Sequence, residues 1–158
     1  MRTRPKDIGT AAETALVRYA REHGHPGARR IALAGARDQG DVWLTEGIIV
    51  EVKAGHAAER ASDEQVRAWW GQTVTERDNH GVPVGVLVTK RAGYSGARCG
   101  AWSAWVDLDT LHRLIGAPWA SQSPLGAQTG AHLVRMSVAS LTALTTRYAY
   151  RADKESTL

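Results

Sequence analysis

One stretch constrains this chain more than any other: Gly40-Asp41-Val42-Trp43-Leu44-Thr45-Glu46-Gly47-Ile48-Ile49-Val50-Glu51-Val52-Lys53. Two apolar runs flank a Thr-Glu-Gly connection, which predicts a β-hairpin with glycine at the left-handed position. A loop of Thr45 to Gly47 sets Leu44 against Ile48 and, counting back along both strands, Asp41 against Glu51. Strand side chains alternate with period two, so Lys53 leaves by the same face as Glu51. Val42, Leu44, Ile48, Val50 and Val52 point the other way, into a core. A one-residue slip would bury the charged set there, so the pattern itself selects the register.

Like charges opposite each other destabilise a sheet. A hard divalent cation gives such a pair a purpose, because Mg²⁺ takes oxygen ligands, keeps several waters and often uses only one or two protein carboxylates. Lys53 then stands where it can orient a metal-bound water or help deprotonate it. The spacing alone is equally met by a solvated Glu-x-Lys pair on an ordinary strand.

Composition narrows the partners. The 158 residues suit one domain with a proper core, and the net charge of +4 favours an anionic partner. A single cysteine, Cys99, allows no internal disulfide and no thiolate-rich zinc site, which favours a reducing cytoplasm. No apolar run approaches bilayer-spanning length, so no membrane partner is expected. The start, Met1-Arg2-Thr3-Arg4-Pro5-Lys6, has no apolar core of a leader peptide.

Three segments are expected: a basic flexible arm over residues 1–8, one domain over 9–150 and a flexible tail over 151–158. Thr10 is an N-cap for a first helix that carries Glu13 at the border of its apolar stripe and ends at His23-Gly24-His25-Pro26-Gly27. The two histidines also suggest a weak metal pair. Arg29 to Gly35 reads as a strand, followed by a basic glycine loop and the hairpin. After a polar loop containing His56, Ser62-Asp63-Glu64-Gln65 is a capping-box pattern. The helix behind it sets Val66, Trp69, Trp70 and Val74 on one face, the tryptophans serving either the core or base stacking. A doubly buried strand (84–90), a flexible basic loop (91–100) and a strand (101–106) follow. Asp109 caps a short helix, residues 116–131 form a polar loop, 133–138 is an edge strand, and Ser140 caps the last helix. The order is α/β: a mixed central sheet flanked by helices.

Asp41, Glu51 and Lys53 together resemble the catalytic signature of the PD-(D/E)XK nuclease superfamily, with Gly40 in place of its proline. Gly9 to Glu13, followed by an extended segment and then Asp…Glu-x-Lys, is similar to the archaeal-type Holliday junction resolvases and their phage relatives, although Thr14 replaces an arginine common there. The resemblance covers roughly residues 9–106. It implies a restriction-endonuclease-like fold and a homodimer in a bacterial or phage-infected cytoplasm. It also implies Mg²⁺, with Mn²⁺ substituting, held by Asp41, Glu51, the Val52 carbonyl and Glu13. Lys53 would align the attacking water, and a helix glutamine, Gln65 or Gln72, would stand near the site. The implied substrate is branched DNA, with duplex or flap DNA as the alternative and a non-catalytic DNA-binding or assembly role as another. Arg2, Arg4, Lys6, Arg37, Lys90, Arg91 and Arg98 are the expected phosphate contacts.

Overall fold

The hairpin forms, with a tighter turn than expected. In the computed structural model, which describes residues 4–32, 41–116 and 132–155, strand β2 is Val42–Thr45 and β3 is Ile48–Lys53. Thr45 pairs with Ile48, so the turn is Glu46-Gly47, with Gly47 at φ 76°. A register shift between Trp43 and Thr45 then sets Trp43 against Ile49 and Val42 against Val50. This bulge absorbs the residue that a three-residue loop would have held, and the outer register is the expected one.

Four further strands extend the sheet to either side: β1 (Arg29–Arg30), β4 (Val84–Thr89), β5 (Ser103–Asp107) and β6 (Leu133–Ser137). The spatial order is β1-β2-β3-β4-β5-β6, with β3 and β4 parallel and every other neighbour antiparallel. The parallel step requires a crossover. It is supplied by the short helix α2 (His56–Glu59) and by α3 (Asp63–His80). Every residue of β4 is buried, as expected for a central strand covered on both faces. Gly85 lets α3 settle onto it: a Cβ there would stand 3.1 Å from Arg77 Cβ and 3.3 Å from Thr73. Helix α1 (Pro5–Glu22) packs on β1, β2 and β3 through Ala12, Ala15, Leu16, Val17 and Ala20. Val42, Leu44, Ile48, Val50 and Val52 are buried as expected. Ile49 and Glu51, on the other face, are buried too.

Several boundaries differ from expectation. Helix α1 begins at Pro5 behind Arg4, not at Thr10, so residues 5–8 of the expected arm are helical. Proline at the first position has its φ already set, and Asp7 in the first turn favours the dipole. Of the strand expected over 29–35, residues 29 and 30 pair and 33–35 lie outside the described residues. The loop around His56 contains α2. The basic loop over 91–100 is partly a 3₁₀ turn, Gly96–Ala101, packed against α1. Helix α4 (Leu108–Ile115) is capped by Asp107, which accepts from Thr110 N–H at 2.7 Å, not by Asp109. Helix α5 (Val138–Glu155) starts directly after β6, where Ser137 Oγ accepts from Ser140 N–H at 3.0 Å, and it continues past residue 150. Residues 117–131 of the expected polar loop lie outside the described residues. No described helix is long and apolar enough to cross a membrane.

Candidate active site

Asp41 stands just before β2, where the ladder ends. Its N–H donates to the Val50 carbonyl at 3.1 Å, and its Oδ2 accepts from Val52 N–H at 2.8 Å. The carboxylate is thereby pinned beside Glu51. It reaches Glu51 by turning into the backbone of β3 rather than by standing at a ladder position. Glu51 is 4 % exposed, and its Oε1 accepts from Lys53 Nζ at 2.5 Å. Oε2 of Glu51 is buried and meets no protein donor.

The side chain facing Glu51 from above is one that sequence reasoning missed. Glu76 of α3, itself 4 % exposed, brings its carboxyl within hydrogen-bonding reach of Glu51. Two carboxyls in that relation share a proton, or a cation stands between them. The signal was present in the stripe Val66, Trp70 and Thr73, because the next position at helical spacing is Glu76. Trp70 is core at 2 % exposure, and Trp69 packs partly against the core. That makes Trp70 a packing residue and leaves Trp69 half-buried.

The electrostatics follow from crowding. Burial first, and the Glu51 charge second, push the Asp41 carboxyl up to about 7 against the opposing pull of the Val52 N–H. Burial, and then the Glu76 carboxyl, raise Glu51 to about 7 against the pull of Lys53. Burial works against the charge on Lys53, but the bond from Glu51 and the surrounding carboxylates outweigh it and raise its pKa above the usual value. In the protein without metal these contacts favour the ammonium form of Lys53.

Glu13 comes to the same end of the sheet. Its Oε2 accepts from Arg30 Nε at 2.6 Å, and its charge adds to the rise at Asp41. A cleft of about 460 Å³ is lined by Lys6, Glu13, Arg30 and Asp41, among others. Arg30, the partner that positions Glu13, was read from sequence only as part of a strand. The fold thus gathers Glu13, Asp41, Glu51 and Lys53, with Val52 between the last two giving its N–H to Asp41.

Other expected residues take different places. Gln65 is exposed, and its backbone N–H donates to the cap hydroxyl of Ser62 at 3.1 Å; Gln72 is exposed as well. The α3 side chain at the site is Glu76. The histidine pair separates: His23 stacks on Tyr19, with ring centroids 3.9 Å apart, while buried His25 bonds Thr145 at 2.8 Å. That removes the histidine metal idea. Lys6 lines the cleft and Arg4 caps α1. Lys90 is paired with Glu59 at 2.6 Å. Arg91 and Arg98 lie over the Tyr94 ring at 4.7 and 4.4 Å. Arg2 and Arg37 fall outside the described residues.

The donor set suits a hard cation. Among the described residues no three His, Cys, Asp or Glu side chains form a ready-made cage. Mg²⁺ does not need one, since one or two carboxylates with water and phosphate suffice. Asp41 and Glu51, two crowded carboxyls with one buried oxygen lacking a donor, make such a pair. No protein-family model, curated protein or solved structure matches the chain.

Proposed function

We propose that the protein is a Mg²⁺-dependent DNA endonuclease of the PD-(D/E)XK type, acting on branched DNA as a homodimer. The observation that carries this reading is the buried Asp41–Glu51 pair. Both carboxyls are forced up to about 7, and Lys53 bonds Glu51 while the Val52 N–H bonds Asp41. A chain gains nothing in stability from such a pair, so its use is chemical. The order helix, three strands, the short α2 and the long α3, then a strand supports it, since the resemblance implies a core of helix, three strands, helix and strand.

Asp41 and Glu51 would hold the metal, with the Val52 carbonyl and Glu13 as further oxygens. When bound, Mg²⁺ lowers the pKa of a coordinated water and neutralises the scissile phosphate. Lys53 remains an ammonium beside Glu51, placed to stabilise charge that develops on the phosphate oxygens. Arg30 keeps Glu13 turned toward the cleft, and Lys6 gives that cleft a second cation. The test is incubation of labelled four-way junction, flap, single-stranded and duplex DNA with the protein, with and without Mg²⁺. Paired nicks in the junction, lost in Asp41→Asn, are the expected result. Cleavage of flap or duplex DNA in preference would keep the enzyme and change its substrate. No Mg²⁺-dependent cleavage of any substrate would overturn the proposal.

A further inference from the structure

Across the sheet, paired residues share a face, and the pairing carries that face from Lys53 to the far edge. Lys53 pairs with Thr89, Thr89 with Ser103, and Ser103 with Ser137. The adjacent row runs Glu51, Leu87, Trp105, Arg135. At strand spacings of about 4.8 Å, the hydroxyl row begins beside the site lysine and reaches β6 roughly 14 Å away. A cleft of about 280 Å³ opens over this row, lined by Thr89, Lys90, Arg91, Ser103 and Arg135, with Glu59 at its rim.

We propose that this cleft binds a phosphate of the nucleic-acid strand, next along from the one cut at Asp41, Glu51 and Lys53. The inference rests on the function proposed above and extends it to the path of the bound strand. Three cations stand around the cleft against the single carboxylate of Glu59, which already holds Lys90. Arg135 lies over the Trp105 ring at 5.8 Å, and Trp105 Nε1 donates to Thr89 Oγ1 at 3.0 Å. A hydroxyl that accepts this bond retains its own proton to donate, and Thr89 is 5 % exposed, so the donor is fixed by the strand. Fixed hydroxyls and arginines on one face bind phosphate and carry no sequence information. A phosphodiester chain, with its charges evenly spaced, matches a row that continues from the site lysine. The pairing of Trp105 with Arg135 is what brings the guanidinium over the ring.

The experiment uses the whole chain, without divalent metal, and a fluorescent DNA oligonucleotide in a salt titration followed by anisotropy. Wild type, Arg135→Ala, Arg135→Lys and Thr89→Val are compared, with thermal unfolding as the check on folding. Arg135→Ala should make log Kd less steep in log salt by about 0.9 on duplex DNA, the share of one phosphate contact. Arg135→Lys should keep the slope and lose affinity, because the charge stays and the fork geometry goes. Thr89→Val should weaken binding at unchanged slope. If wild type binds DNA and Arg135→Ala has the wild-type slope, the subsite is wrong and the nuclease reading stands. If wild type binds no DNA, both fall. A labelled hexaglutamate peptide bound as tightly as DNA, and through Arg135, would make the cleft a docking site for acidic protein and overturn the proposal.

Discussion

Neutralising Asp41 should stabilise the metal-free protein at alkaline pH and do little at acid pH. Asp41 moves from an ordinary 3.8 to about 7, and Glu51 from 4.5 to about 7. At about 1.4 kcal/mol for each tenfold change, the charged forms cost about 4 and 3 kcal/mol. Each figure includes the repulsion of the other group, so the pair costs less than their sum, on the order of 5 kcal/mol. Both folded values lie above the unfolded ones, so between pH 4 and 7 the folded state binds more protons than the unfolded state. These groups therefore stabilise the fold fully below about pH 4, and that contribution is lost as pH rises through 7. Asp41→Asn keeps an oxygen for the Val52 N–H, removes one buried charge and relieves Glu51. At pH 8 the gain should be about 3 kcal/mol, or roughly 6–12 °C in Tm for a chain of this length. At pH 4, close to the ordinary Asp41 value, it should be under about 1 kcal/mol. Thermal unfolding in EDTA at the two pH values decides the matter. An equal change at both, or a loss at pH 8, would refute the account of a crowded, ion-seeking pair. Mg²⁺ should stabilise wild type by about 2.7 kcal/mol at a hundredfold over its Kd, at pH 8 and not at pH 5, and the variant should lose that response.

Lys53→Ala should slow single-turnover cleavage with little change in DNA affinity, because the ammonium acts on charge formed in the transition state; a loss of affinity at unchanged rate would make it a phosphate anchor. Glu13→Gln breaks the partly exposed pair with Arg30, so it should cost at most about 1 kcal/mol of stability. Its cleavage rate should nevertheless fall and recover in part with Mn²⁺, and an unchanged rate across a metal titration would exclude Glu13 from the site. Glu76→Gln replaces a carboxyl facing Glu51 with an amide that can donate to it, so the pH dependence of Tm in EDTA should flatten. An unaltered profile would show that Glu76 does not act on Glu51.

The strand residues of the site were legible because alternation is a local property. Glu51 and Lys53 are two apart on one strand, and no tertiary information is needed to put them on one face. Even the misjudged turn did little harm, since the bulge between Trp43 and Thr45 restored the register that the apolar pattern demands. Helix caps were less legible. Asp107 and Ser137 are each the last residue of a strand and the cap of the following helix. With no loop between, two nearby acids or two nearby serines compete for the role, and only the strand pairing chooses. The start of α1 failed differently: Thr10 is a good cap by type, yet Pro5 starts the helix earlier and the Thr10 carbonyl, inside the helix, accepts from the Thr14 hydroxyl at 2.8 Å.

What went unread was the carboxyl that α3 brings to the site. Glu76 drew no notice in the sequence because an apolar count skips carboxylates. It is buried where α3 folds back onto β4, a close approach that Gly85 permits against the neighbouring Thr73 and Arg77. That packing also decides what Lys53 can do. With Glu51 bonded to it and Glu76 and Asp41 close by, the ammonium is stabilised in its charged form, whatever burial does to oppose it. Sequence left two roles open for this lysine, orienting a water or taking its proton. A lysine surrounded by carboxylates is a poor base at neutral pH and a good electrostatic partner for an anion. The crowding that raises Asp41 and Glu51 is therefore the same crowding that favours the charged form of Lys53, which is why Lys53→Ala separates the two roles proposed for it.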